Sequence, residues 1–415
     1  MSLHGQRLVA TLAAFWVVAL AASAVYADAL PDSTWAGLKA LPHQGRSAVF
    51  ALAVDPSNNQ VLIAGNSAGS LLRSTDGAAS WTSVHSGKAV LTTIEFSPFT
   101  AGLVLAGTHG SGALVSQDGG VTWAAATGLE GRAVRVFAFA LTLSAAGTDR
   151  GVFTSQDGLS WTASGLANHS VNTLAVEAIH TPVRLVAGSD SATTGAPLPL
   201  YQSIDAGATW TTFNPPISGT FAVRLTAGPL PPVGGIRPLV VGTNAGLFES
   251  MDNGATFVPL SGGVLLPSTD YTQVFFVTDH ANRFYAASDG GGSGSGGLWR
   301  TTDGGQTFLS LAPPVLSITA LAVSNDESPT LYVGTFDPTS HAAALWAYHD
   351  TGGLPLGPAV SPSPFVSGGR LSSPRPGSSI FDVLRTSQAP YVALGIGALL
   401  LILAALVSNA RGRRR

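Results

Sequence analysis

The chain has 415 residues, too many for one small core and enough for a single large β architecture or two domains. Only 10% of residues are charged, Gly (49) and Pro (26) are abundant, and the formal net charge is −3. That balance favours short strands joined by tight turns and gives no electrostatic basis for nucleic-acid binding. Cysteine is absent, which excludes disulfides, thiolate metal sites and cysteine nucleophiles.

Residues 1–27 combine Arg7, an apolar run over 8–25 and the small-residue site Val25-Tyr26-Ala27. They read as a secretion signal cut after Ala27, with an uncleaved N-terminal anchor as the alternative. The body is expected over residues 28–352. It opens on "DSTWAGLKALP" (32–42), a Thr-Trp pair of the kind that elsewhere follows a distinctive turn, here with no such turn before it.

That turn recurs as "STDGAASW" (74–81), "SQDGGVTW" (116–123), "SQDGLSW" (155–161), "SIDAGATW" (203–210), "SMDNGATF" (250–257) and "TTDGGQTF" (301–308). Its aspartates are Asp76, Asp118, Asp157, Asp205, Asp252 and Asp303, spaced 42, 39, 48, 47 and 51 residues apart, the length of one four-stranded propeller blade. The carboxylate can accept backbone N–H groups just ahead of it, the following Gly permits positive φ, and the preceding Ser or Thr adds a hydroxyl contact. The aromatic residue (Trp81, Trp123, Trp161, Trp210, Phe257, Phe308) starts the next strand and is expected to bury between blades. These are structural roles; a calcium role is not supported, because no copy has the oxygen-ligand spacing of an EF-hand loop.

Ahead of each turn lie an inner strand, such as "LTTIEFSP" (91–98) or "FAVRLTAGP" (221–229), and an apolar strand ending in Gly, such as "VLIAGNSAG" (61–69). A seventh unit, "SITALAVSNDESPTLYVGTF" (317–336) with "AALWAYHDTGG" (343–353), ends in a decayed turn at Asp350 and has no aromatic fourth strand. The fold expected is all-β: a seven-bladed β-propeller whose last blade is closed by the N-terminal strand around Trp35–Leu38. Residues 353–389 are a Pro/Gly/Ser-rich stalk. Residues 390–408 carry no charge and are expected to form a transmembrane helix, with a buried core helix as the alternative, and 409–415 form a basic tail expected to stay cytoplasmic. The propeller would then face away from the cytoplasm, with the membrane as one partner.

The six turns at blade spacing resemble the Asp-box (BNR-repeat) β-propellers over about residues 32–350. That family includes sialidases, xyloglucan-degrading glycosidases, sortilin-type receptors and photosystem II assembly factors of the Ycf48 type, the last nearest in size and blade count. The resemblance implies the fold and leaves the activity open.

In a propeller the repeated turns share one face with the A–B turns, which leaves the D–A and B–C loops at the opposite mouth of the channel as the working surface. Polar residues there are Gln44, Lys88, Glu130, Asn168, Asn66, Asn244, Asp289 and Asp337, together with the binding candidates His43, Arg46, His85, His109, Arg132, Asp149, Arg150, His169 and Asp190. Solvated loop polarity is the plain alternative. Asp149-Arg150 could line the mouth or form a mutual or inter-blade ion pair. A sialidase-type hydrolase would need an arginine trio, a Tyr–Glu pair and an acid Asp. The early Arg-Ile-Pro motif of that family is missing, and Tyr201, Tyr271, Tyr285, Tyr332 and Tyr348 have no evident Glu partner. A xyloglucanase-like Asp pair would have to come from Asp149, Asp190 and Asp289, in a single propeller. The expectation is therefore a non-catalytic, membrane-anchored module that binds a protein or carbohydrate partner, with a glycoside hydrolase as the alternative. No catalytic residue, cofactor, metal, nucleotide or nucleic acid is expected.

Overall fold

Period-two alternation broken by Gly-rich corners produces strands of two to nine residues, and every unit of the repeat folds as a four-stranded antiparallel sheet. The structure, a computed structural model, describes residues 30, 32–42, 47–177, 182–190, 198–213, 215, 217–230, 236–265, 269–291 and 295–355. All of these lie in the unit Met1–Pro362. Lettered A to D outward from the centre, strand A of blades 1 to 7 is Val49–Asp55, Leu91–Phe96, Val134–Ala140, Val171–Glu177, Ala222–Ala227, Tyr271–Val277 and Ile318–Val323. Each strand A packs beside the strand A of the next blade, and that of blade 7 packs beside that of blade 1. The result is a seven-bladed β-propeller around a central channel.

The core sits in the seams. Seven clusters of buried apolar side chains each join two consecutive blades, including one that joins blade 7 (Tyr332, Leu345) to blade 1 (Leu52, Leu62). Trp81, Trp161, Phe257 and Phe308 are buried, Trp123 and Trp210 are half-buried, and each packs in the seam with the preceding blade. One such ring contributes roughly 2–3 kcal/mol of burial free energy.

The corners are held as their spelling suggests. In blade 1 the Ser74 hydroxyl donates to Asp76 Oδ1 (2.8 Å) and accepts the Ala78 N–H (2.9 Å). Asp76 in turn accepts the Ser80 N–H (2.9 Å) and the Ser80 hydroxyl (2.5 Å). The same set recurs at Asp118, Asp205, Asp252 and Asp303. In the shorter third copy Asp157 accepts the N–H groups of Leu159 and Ser160. The glycine of the corner is required at Gly120, where φ is +84° and an added Cβ would stand 2.1 Å from Ile63 Cδ1.

Blade 7 is assembled from both ends of the described chain. Trp35–Gly37 pairs antiparallel with strand Ala342–His349, with Trp35 opposite Tyr348 and Gly37 opposite Trp346. Trp35 takes the seam position of the corner aromatics, its ring 5.0 Å from Tyr348 and its indole N–H donating to the Leu311 carbonyl of blade 6 (2.7 Å). Where the decayed turn was read, the structure has something different. Asp350 is fully buried and accepts hydrogen bonds from Arg300, the Tyr285 hydroxyl (2.5 Å), Arg283 (3.3 Å) and the Gly352 N–H (2.9 Å). An exposed corner has become a buried ion-pair joint between blades 6 and 7.

The expected leader (1–27), nearly all of the stalk, the transmembrane segment (390–408) and the basic tail (409–415) lie outside the described residues. Among the described residues no helix is long and apolar enough to cross a membrane.

Candidate functional site in the central channel

The expected binding residues fall into three groups. His43 and Arg46 lie outside the described residues. His85 is not in a loop: it belongs to strand D of blade 1 (Thr82–Ser86), opposite Leu71, and burial lowers its pKa. The rest do reach the D–A and B–C face, mostly with their polar groups engaged. Asp149 accepts the Ala133 N–H (3.0 Å), and the carboxylate thereby ties a B–C loop to the neighbouring D–A loop. His109 forms a backbone bridge with the same Ala133, and the Arg132 guanidinium lies 5.7 Å over the Phe153 ring. Arg150 is exposed. His169 stacks on Tyr201 (4.9 Å between centroids), its Nδ1 3.2 Å from the tyrosine hydroxyl. Asn66, Asn244, Asp289 and Asp337 accept N–H groups of their own or adjoining loops.

Asp190 leads inward. Its Oδ1 accepts the Asn172 side-chain N–H (2.6 Å), and Asn172 Oδ1 accepts a hydrogen bond from Arg135. Arg135 and Asn172 are the second residues of their inner strands, a position with a common geometry. The register shifts at the start of every strand A, between the first and third residues. A bulge of this kind re-aims the extra side chain, and here Phe50, Thr92, Arg135, Asn172, Val223 and Thr272 line the mouth of the channel. Around this ring the side chains bond to the next blade: Thr92 donates to the Val134 carbonyl (2.5 Å) and Thr319 to the Val49 carbonyl (2.6 Å). Thr272 breaks the pattern, since its buried hydroxyl has no protein partner.

Behind the mouth the channel has two chambers, of about 200 Å3 on the D–A side and about 340 Å3 on the side of the repeated corners. Leu52, Glu95, Val136, Arg224 and Phe275 line both and form the waist. Glu95 (blade 2) and Arg224 (blade 5) face each other at 3.9 Å, too long for a hydrogen bond, and the guanidinium lies 5.2 Å over the Phe275 ring. The Glu95 side chain is 28% exposed and lines both chambers. Burial raises its pKa and the charge of Arg224 opposes that rise. Arg224 Nε is buried with no hydrogen-bond partner.

Among the described residues lining the channel, Glu95 is the one carboxylate, and Arg224 and Arg135 are the cations. This arrangement can bind and orient a group with hydrogen-bond acceptors; no second carboxylate is among the described residues that line it. Neither Glu95 nor Arg224 was singled out from the sequence. The available signal was a charge inside an otherwise apolar inner strand, in "LTTIEFSP" and "FAVRLTAGP". A separate carboxylate pair does occur in blade 6, where burial and the neighbouring charge of Asp289 raise the pKa of Asp270.

No protein-family model matches the sequence, and no curated protein matches it. Solved structures do. YCF48 from Cyanidioschyzon merolae superposes with a TM-score of 0.50 at 15% identity, covering 76% of this chain and 98% of that one. YCF48 bound to a D1 peptide gives 0.52 at 16% identity, covering 78% and 100%. The GH74 xyloglucanase from Xanthomonas campestris gives 0.56 at 16% identity, covering 76% of this chain but only 56% of its own length. At these identities the likeness is one of fold.

Proposed function

We propose that this chain is a non-catalytic binding or assembly module that uses the D–A and B–C mouth of its channel to hold a protein or carbohydrate partner. We read the six repeated corners as Asp-boxes. We read residues 390–408 as an anchor that keeps the propeller outside the cytoplasm with the basic tail inside, concentrating it near membrane or envelope partners. The observation that carries the reading is the lumen itself: Glu95, the one carboxylate among the described residues that line it, faces Arg224, and Asp149 and Asp190 are engaged by Ala133 and Asn172. Burial also raises the pKa of the Tyr201, Tyr285, Tyr332 and Tyr348 phenols, the reverse of what a tyrosine nucleophile needs. A propeller of comparable length, YCF48, is known with a peptide bound, which supports a protein partner by analogy of fold. Crosslinking and pulldown from native membranes should return one partner with the wild-type chain and lose it with Arg135→Ala combined with Arg150→Ala. Retention of the same partner by that variant would refute the placement of the surface.

The hydrolase reading has one observation in its favour, the Asp270–Asp289 pair on the same face. Turnover of a fluorogenic sialoside or a xyloglucan oligosaccharide that is abolished by Asp270→Asn would replace the binding module with a glycosidase.

A further inference from the structure

The corner-side mouth of the channel has a rim of a different kind. Strand A is innermost in each blade, so the A–B turns surround that opening. The rim divides into two arcs. Where strands A and B meet in blades 6, 7 and 1 it carries Asp279, Asp326, Glu327 and Asp55. These turns are fastened together: Asn325 accepts a hydrogen bond from Thr278 of blade 6 and donates to Asn59 Oδ1 and the Pro56 carbonyl of blade 1 (3.1 Å each). Neutral donors reach two of the carboxylates, Ser57 at Asp55 and Ser324 at Asp326. Among the described residues no Lys or Arg pairs with any of the four. Arg283 gives its N–H groups to Asp350, Tyr285 and the Glu327 carbonyl, and His280 Nδ1 lies 3.0 Å from the Thr278 carbonyl. The turns of blades 2, 3 and 5 instead expose Phe99, Leu141, Leu230 and Ile236, with Leu141 75% exposed. Arg237 beside them is half-buried, and its charge is met by Glu177. Between the arcs opens the chamber of about 340 Å3, walled at this end by Val54, Pro56, Phe96, Pro98, Phe139 and Val323.

We propose that this second mouth docks a basic amphipathic helix of a protein partner, with its apolar side chains on the arc of blades 2, 3 and 5 and in the chamber, and its Lys or Arg side chains against the acidic arc. Grouped exposed apolar side chains bordered by polar ones mark an interaction surface, and charge selects the occupant. A second copy of this chain would set carboxylates against carboxylates or against apolar surface. A bilayer would cover the apolar arc but press the carboxylates onto headgroup phosphates. A basic amphipathic helix divides apolar from cationic side chains along its two sides, as the rim divides apolar from anionic ones. The surface lies on the face opposite the D–A and B–C mouth, so the inference stands independently of the function proposed for that mouth.

The test uses the full-length chain in nanodiscs of net-neutral lipid, read against empty discs. The chain has no cysteine, so Leu141→Cys carries a single environment-sensitive dye on the apolar arc. Leu316→Cys, in an exposed D–A loop, carries it on the opposite face as a control. The probe is a peptide repeating Leu-Lys-Lys-Leu-Leu-Lys-Leu, with its Lys-to-Glu analogue for comparison. The basic peptide should shift the Leu141→Cys dye to the blue with a Kd below about 100 µM and leave the control dye unchanged; the acidic analogue should shift neither. Raising salt from about 0.05 M to about 0.5 M should weaken binding several-fold. Asp326→Lys combined with Glu327→Lys should weaken the basic peptide by at least about tenfold and admit the acidic one. Phe99→Ser combined with Leu230→Ser should weaken the basic peptide by about tenfold. The proposal falls if the two peptides bind wild type alike, or if the charge-reversed variant holds the basic peptide as wild type does. It falls equally if neither the dye nor calorimetry on the unlabelled chain detects the basic peptide at about 100 µM. A blue shift on moving from detergent into discs without peptide assigns the surface to the bilayer. One that grows with protein concentration assigns it to a second copy, and either result overturns the proposal.

Discussion

Glu249 shows how burial by itself shifts one residue. It lies in strand C of blade 5 (Gly246–Ser250), is 8% exposed, and burial raises its carboxyl from 4.5 to about 7. The folded state therefore binds more protons than the unfolded state between those two values, so stability falls as pH rises through this window and stays low above it. Glu249→Gln should leave the melting temperature unchanged near pH 4.5 and stabilise the protein by about 2 kcal/mol above pH 7. A pH-independent difference between the two melting curves would contradict this. The corner aspartates behave oppositely. Hydroxyl and backbone donors, led by Thr122, Thr209 and Thr256, hold Asp118, Asp205 and Asp252 at about 2. Their contribution is present above the ordinary Asp range and is lost as pH falls toward 2. The corner chemistry was legible in the sequence because donor and acceptor are at most four residues apart. The Glu249 environment was not, because neighbouring strands create it.

At the scale of the element, one turn type has been put to two uses. Six corners carry a solvent-facing carboxylate that closes its own loop; the seventh, at Asp350, turns inward and joins Arg300, Arg283 and Tyr285. Removing Asp350 leaves Arg300 buried and only 6% exposed. Asp350→Ala should therefore cost about 3–5 kcal/mol. Asp205→Ala, on an exposed corner, should cost less, because it leaves no buried charge behind. Denaturant unfolding of the two variants measures the order, and a smaller loss at Asp350 would show that the buried joint is not held by this pair. The sequence marked Asp350 as a departure from the repeat, yet the two arginines that explain it, Arg283 and Arg300, sit on blade 6, 67 and 50 residues earlier in the chain.

At the scale of the molecule, the ring depends on matching its first strand to its last. Trp35–Gly37 covers the outer edge of strand Ala342–His349, and Trp35 fills the seam against Leu311. Deleting residues 28–41 would bare that strand edge and the Tyr348 ring. A long unpaired edge is a template for pairing with another chain, so the deletion should lower the melting temperature and produce concentration-dependent self-association in size-exclusion chromatography. A monomeric deletion variant with unchanged melting would show that the ring holds without this strand. The same ring places blades 2 and 5 on opposite sides of one channel, which is why Glu95 and Arg224 meet at all.

The sequence by itself determined the number of units, the turn at each corner and the apolar seams. These depend on hydrogen bonds spanning a few residues and on the alternation of a pleated strand, both of which are local. Tertiary structure alone decided which polar loop residues are engaged, Asp149 with Ala133 and Asp190 with Asn172, and which charges face each other at the waist. Those contacts arise only when seven sheets are bent around a common axis, and residues distant in the chain are brought within reach by closing the circle.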